Sequence, residues 1–348
     1  MKIAQVSPLY ESVPPARYGG TERVVAYLTD ELVQLGHDVT LFASGDSRTR
    51  ATLVPICPHA LRLDPNCIDQ LAWHVLQLER VAAAAHQFDV VHFHTGHMHL
   101  PIARRLAARS VTTLHGRLDL PELRPLFSEF SDLPLISISD AQRTPLAAAN
   151  WVATIPHGLP ASQFLPSGRG GEYLAFLGRI SPEKRVDRAI AIATALGQRL
   201  CIAAKIDRVD TAYFKREIEP LLNNPLVEFV GEIGDADKCG FLAQARALLF
   251  PIDWPEPFGL VMIESLACGT PVIAFRGGSV EEIIEHGRTG FIVETVDEAI
   301  EATRHVDALD RHACREAFER KFTARRMAED HAALYEQILK DKATHALA

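Results

Sequence analysis

The sequence predicts an α/β protein of two doubly wound domains, each on a parallel sheet, and three observations predict it. The first is length: 348 residues exceed what one hydrophobic core usually supports. The second is rhythm, since short apolar runs alternate with helix-period segments from end to end. Alternation of that kind gives parallel strands joined by crossover helices on both faces of the sheet. The third is a single break, HGLPASQFLPSGRGG at residues 157–171, rich in Gly, Pro and Ser and without a clear period. It reads as a linker. A first domain over 1–160 and a second over 161–322 follow, with 323–348 as a terminal segment. The domains are expected to face each other across a cleft, with ligands at the carboxyl ends of the strands there.

Residues 2–6, 38–42, 89–93, 111–114 and 135–138 read as strands of the first domain. Between the first two lies a helix over 22–35, where Val24, Leu28 and Leu32 stack on one face. Beyond the linker the strands are 173–177, 200–204, 227–230, 247–250 and 272–274, each followed by a helical segment. The end, 323–342, reads as one amphipathic helix with Met327, Leu334 and Ile338 among its apolar positions.

Composition narrows the function. Lys and Arg number 36 against 44 Asp and Glu, a net charge of −8 that argues against a nucleic-acid partner. MKIAQVSP runs directly into a strand pattern and lacks the basic and long apolar regions of a signal peptide. Without an apolar stretch long enough to span a bilayer, a cytoplasmic location is expected. Arg104, Arg105 and Arg109 beside Leu106 read as a solvated helix face, so any membrane contact is peripheral at most. Six cysteines lie scattered without a C-x-x-C pair, which argues against a disulfide framework.

The most informative segment runs from Asp253 to Phe275, DWPEPFGLVMIESLACGTPVIAF. Pro255 and Pro257 stiffen the chain on both sides of Glu256. A helix starting at Phe258-Gly259-Leu260 offers unpaired N–H groups and a positive dipole end to a phosphate, and Gly259 permits close approach. Glu264, one turn deeper, can accept two hydrogen bonds from the vicinal hydroxyls of a ribose. Two isolated glutamates would do no more than cap and solvate a surface helix; this Pro-Gly frame favours the site.

A second segment, FLGRISPEKRVD from Phe176, places Arg179 at a strand tip and Lys184 at the start of the next helix. Two cations straddling such a turn suit a diphosphate. A third, PPARYGGTE from Pro14, sets Gly19 and Gly20 at the first helix N-terminus. No G-x-G-x-x-G follows the first strand, which counts against a nicotinamide or flavin enzyme.

With these residues together, the sequence resembles the retaining family-four glycosyltransferases of the GT-B architecture, over nearly the whole chain. The resemblance implies two Rossmann-like domains, with the donor nucleotide held mainly by the second and a C-terminal helix returning toward the first. It implies that Glu264 binds the ribose, that Glu256 and the 258–260 backbone meet the donor sugar, and that Arg179 and Lys184 hold the diphosphate. Gly19 and Gly20 fall in the donor-binding set. His115, in Thr113-Leu-His-Gly116, matches the family's histidine that contacts the transferred sugar. His157 departs from the family, standing where many relatives have Asn, and Ala204-Lys205 stands at a strand tip where glycine is common.

Other patterns compete. In VHFHTGHMH, His92 and His94 share a strand face, but no carboxylate or cysteine nearby completes a metal set with them, His97 or His99. Asp235-Ala-Asp237 has the form of a metal-diphosphate motif and reads better as the cap of a helix after Gly234. The expected reaction is therefore transfer of a sugar from a nucleotide-sugar donor, without metal or cofactor, with fixed cations and a helix dipole at the leaving diphosphate. The acceptor is a sugar, a lipid-linked sugar or a small molecule; the loops 46–69 and 117–131 that would choose it carry no readable pattern. A sugar phosphorylase on the same framework and a non-catalytic nucleotide-sugar-binding protein stay open as alternatives.

Overall fold

The computed structural model describes residues 1–345 apart from 17, 18, 63, 107 and 108, with the backbone alone described for 341–345. The chain forms two compact units: Met1–Gly158 together with the helix from Ala324, and Leu159–Thr323.

The first unit carries seven strands: β1 (Lys2–Val6), β2 (Asp38–Ala43), β3 (Thr52–Pro55), β4 (Val90–Phe93), β5 (Arg109–Thr113), β6 (Leu135–Ser137) and β7 (Trp151–Thr154). They pair in parallel in the order β3-β2-β1-β4-β5-β6-β7. The order winds outward from β1 and β4, so the loops after those strands flank a topological switch point. Helix α1 (Gly20–Gln34) leaves the first of these loops. The central strands β1 and β4 are buried apart from Lys2 and are mostly apolar, with Gln5 and His92 as buried polar exceptions. The strands β3 and β7 escaped the sequence reading because both lie at sheet edges and are half-exposed.

The second unit repeats the plan with β8 (Tyr173–Arg179), β9 (Arg199–Lys205), β10 (Val227–Gly231), β11 (Ala245–Phe250), β12 (Val272–Phe275) and β13 (Gly290–Val293). Their parallel order is β10-β9-β8-β11-β12-β13, with the switch point between β8 and β11. Again an edge strand, the four-residue β13, was not read. Helices α2 (Val186–Leu196), α3 (Asp235–Ala243) and α4 (Leu260–Ala267) follow β8, β10 and β11.

The last helix, α5 (Ala324–His345), packs on α1 within the first unit. Met327 and Leu334 are buried, as their spacing predicts, and Ile338 is half-buried. The inner face also carries His331 and Tyr335, the latter fully buried. Among the described residues, no helix is long and apolar enough to cross a membrane.

Candidate active site

In the second unit the loops at the switch point bring Lys184 and Glu256 together. The Lys184 ammonium pairs directly with a Glu256 carboxylate oxygen, which also accepts a 3.0 Å hydrogen bond from the Trp254 indole. The same ammonium lies 5.1 Å from the Trp254 ring centre and 5.6 Å from that of Phe250. Burial leaves the lysine side chain 18% exposed and the glutamate 10%, so both are held rather than solvated. Lys184 closes a 3-10 turn, Pro182–Lys184, instead of starting the helix as its spacing predicts. The helix begins two residues later because Arg185 is left-handed (φ 50°). Two-pronged bonds to Asp187 and a 2.9 Å bond to Asp253 hold that conformation.

The Glu256 loop is pinned from below. Ser279 N–H donates to the Glu256 carbonyl at 3.0 Å, and its hydroxyl donates to the Phe258 carbonyl at 2.7 Å. Gly278 passes so close that a Cβ there would stand 2.1 Å from the Glu256 carbonyl oxygen. Gly259 caps α4 in the left-handed region (φ 78°) where glycine is favoured. The helix thus opens at Leu260, with the Phe258 side chain buried against Phe322.

Glu264 is 2% exposed and meets the Lys238 ammonium at 3.2 Å. The same ammonium reaches Asp235 at 3.1 Å. Asp235 and Asp237 sit in the first turn of α3, and the N-cap position is Gly234 rather than either aspartate. Arg179 ends β8 and pairs with Glu183, with Asp207 and Asp210 each 3.7 Å away. Burial raises the Asp210 carboxyl against the pull of Arg179. Burial also pushes Glu183 up, but its own backbone N–H, Ser181 and Arg179 carry it below the usual range. Lys205 shares Asp207 with Arg179, 2.5 Å from its other carboxylate oxygen. Arg179 and Lys184 therefore answer to different carboxylates.

The first unit presents a different surface. Gly19 caps α1 and Gly20 begins it; a Cβ at Gly19 would stand 2.8 Å from Pro15 Cβ. Two residues into α1, burial lifts the Glu22 carboxyl to about 7 over the pull of its backbone N–H, with Glu11 adding to the rise. The histidines disperse. His97 is exposed, and His99 lies in the core stacked on Phe93, its ring nitrogens on Thr95 and Thr112. His92 and His94 share a face as their spacing predicts and join His115, half-buried, and His157. Burial drives all four rings below their usual value, His115 to about 3, so each is neutral. Among the described residues, no group of three or more His, Cys, Asp or Glu could hold a metal ion. Arg104 is occupied by Glu129 and Asp132 and lies over Phe130. All six cysteines are free thiols, and burial raises Cys57 and Cys201 to about 11.

A family described as Glycosyltransferase Family 4 matches residues 18–210, and one described as Glycosyl transferases group 1 matches 161–317. The chain belongs to glycosyltransferase family 4. Among curated relatives of this glycosyltransferase, the D-inositol 3-phosphate glycosyltransferase of Frankia alni is 28% identical over 84% of this chain and 85% of that protein. Among solved structures, AviGT4, a glycosyltransferase involved in avilamycin A biosynthesis, is 26% identical with a TM-score of 0.74, covering 97% and 98% of the two chains. The Anabaena protein HepE, solved in complex with UDP and glucose, is 18% identical with a TM-score of 0.74 over 97% and 100% of the chains, and shows the fold alone. The two parallel sheets are those of the GT-B fold.

Trp254, Lys238 and the carboxylates around Arg179 were not anticipated. Lys238 stands in Asp-Ala-Asp-Lys, and a lysine one turn into a helix headed by acids is the one local sign of it.

Proposed function

We propose that this glycosyltransferase moves a sugar from a nucleoside-diphosphate donor to its acceptor with retention at the anomeric carbon, the second unit holding the donor. The observation that carries the reading is the Lys184–Glu256 pair, built from two loops at the switch point beside the N-terminus of α4. A cation and a helix dipole there suit the charge that develops on a departing diphosphate, and fixed groups stabilise it without reorganising. Lys184 and Arg179 take the diphosphate, and Glu264 takes the ribose diol. Glu256 and the backbone of Phe258, Gly259 and Leu260 face the sugar. Within the first unit, Gly19, Gly20 and His115 complete the donor set. Support comes from the matched family and from the UDP that the fold neighbour HepE binds.

A nucleophilic carboxylate of the hydrolase kind is not part of this reading, because the Glu256 carboxylate is committed to Lys184 and Trp254. The departing phosphate oxygen instead takes the acceptor's proton as the new bond forms on the same face. No metal or cofactor enters the step. The test is turnover of a panel of nucleotide sugars, with product stereochemistry read by NMR. Release of nucleoside diphosphate with a retained linkage is expected. Nucleotide-free, phosphate-dependent release of sugar phosphate would favour a phosphorylase, and binding without turnover a sensor.

A further inference from the structure

Six side chains in the first unit form a hydrogen-bonded circuit that leaves the end of β5 at Thr113 and finishes two residues beyond it, at His115. The Thr113 hydroxyl lies 2.7 Å from His92 Nε2, and His92 Nδ1 lies 2.6 Å from the Tyr335 hydroxyl of α5. The Gln5 amide of β1 donates to that hydroxyl at 3.3 Å. Its carbonyl oxygen stands 2.8 Å from His94 Nε2, and His94 Nδ1 stands 2.8 Å from His115 Nε2. Gln5 and His92 are register partners on adjacent strands, which sets the two halves of the circuit side by side. Gln142 donates to the carbonyls of Leu114 and Gly116, both at 2.9 Å, and so clamps the backbone around His115.

The donors and acceptors can be followed through it. An amide oxygen only accepts, so with Gln5 oriented as it is, His94 carries its proton on Nε2. His94 is neutral, because burial and the neighbouring imidazoles hold its pKa far down. Its Nδ1 is then a bare acceptor, and the proton between the two rings belongs to His115 Nε2. On the other side, the Tyr335 hydroxyl accepts from Gln5 and donates to His92 Nδ1, leaving His92 Nε2–H for Thr113. Burial raises the Tyr335 phenol, which keeps that proton in place. Each step around the circuit has one donor and one acceptor. A buried polar ring left unpaired would be costly, so the arrangement selects one protonation pattern.

We propose that Gln5, His94 and Tyr335 are positioning residues that fix His115 as the neutral Nε2–H tautomer and leave its Nδ1 as the acceptor for a hydroxyl of the donor sugar. This rests on the reading that His115 contacts that sugar. The Nδ1 atom has a long contact, 3.4 Å, to His157 Nε2, and a sugar hydroxyl replaces it. The acceptor thereby demands a hydroxyl that donates, and a sugar lacking a hydroxyl at that position is discriminated against. The helix α5 takes part through Tyr335, so the seating of the chain's last helix is tied to the protonation pattern of a site residue.

Side-chain 15N NMR of the ligand-free protein tests the tautomer directly, since bare and protonated ring nitrogens resonate far apart. The expected spectrum shows His115 and His94 each protonated on Nε2. A His115 protonated on Nδ1 would overturn the proposal, whatever the activity. Tyr335→Phe keeps the ring and removes the link between Gln5 and His92. It is expected to mix the His115 tautomers and slow turnover about fivefold to tenfold at unchanged nucleoside diphosphate affinity. A folded Tyr335→Phe protein with an unmixed His115 would count against the circuit as the cause; an unfolded one leaves the wild-type spectrum to decide. Full turnover by His115→Ala would instead sink the contact between His115 and the sugar.

Discussion

The two units solve the same structural problem with opposite chemistry. In the second, the residues at the switch point are charged and paired: Lys184 with Glu256, Arg179 with Glu183, and Glu264 with Lys238 of the neighbouring α3. In the first, they are neutral rings and amides: Gln5, His94 and His115 are joined by single hydrogen bonds, and His92 is linked to Gln5 through Tyr335. Paired charges suit a ligand that brings its own charge, because an arriving diphosphate competes for cations already desolvated and aimed. Neutral polar groups suit hydroxyls, which need direction more than charge. Under the proposed function, the paired charges of the second unit serve the phosphate end of a donor.

The largest expected effect separates Lys184 from Arg179. Lys184→Ala should weaken nucleoside diphosphate binding by about 1.5–3 kcal/mol and slow turnover, measured by calorimetry and initial rates. Arg179→Ala should cost less, because Glu183, Asp207 and Asp210 already share its charge. Equal affinity for wild type and both variants would place the diphosphate elsewhere and break the contrast.

A second effect sharpens the contrast through kinetics. Glu264 is assigned to the ribose, which does not react, so Glu264→Gln should act mainly on KM. Glu256 is assigned to the sugar, which gains positive charge as the leaving group departs, so Glu256→Gln should act mainly on kcat. Circular dichroism must accompany both, since Glu264 is buried on Lys238.

The neutral unit should reveal itself in acid. Burial, with His97 adding to it, holds His99 at about 3, and burial holds His331 at about 4 over the opposing hydrogen bond to the Met327 carbonyl, against 6.5 for an ordinary histidine. The unfolded chain binds protons below pH 6.5 that these folded rings refuse, so stability falls as pH falls from 6.5 toward those values. Each such ring costs about 1.4 kcal/mol per pH unit in that window. Glu22, held at about 7, works in the other direction: its protonated folded form loses stability as pH rises from 4.5 to 7. The histidines with lowered values outnumber it, so melting temperature should drop between pH 6.5 and 5. A flat profile would mean the rings are not buried as neutral groups.

The smallest expected effect is none. Excess chelator should leave turnover unchanged if Lys184, Arg179 and the α4 dipole serve the leaving group. Loss of activity with rescue by a divalent ion would return attention to Asp235 and Asp237.

Local signals were legible where backbone chemistry is local. The alternation of apolar runs located the ten more strongly patterned strands, and Pro255, Pro257 and Gly259 marked the loop before α4. The edge strands β3, β7 and β13, four residues each, were not legible. Arg185 was missed because a non-glycine left-handed residue depends on distant partners, here Asp253, 68 positions away. Lys238 on Glu264, Trp254 on Glu256 and the circuit through Tyr335 are side-chain pairings. The link from Gln5 to Tyr335 spans 330 positions, and no window of sequence contains it.

Calorimetric titration of nucleoside diphosphates into wild type, Lys184→Ala, Glu264→Gln and Glu256→Gln tests the donor site most directly. One diphosphate should bind wild type, bind both Lys184→Ala and Glu264→Gln more weakly, and bind Glu256→Gln nearly as well as wild type. Equal affinity for all four proteins would contradict the assignment of the second unit to the donor.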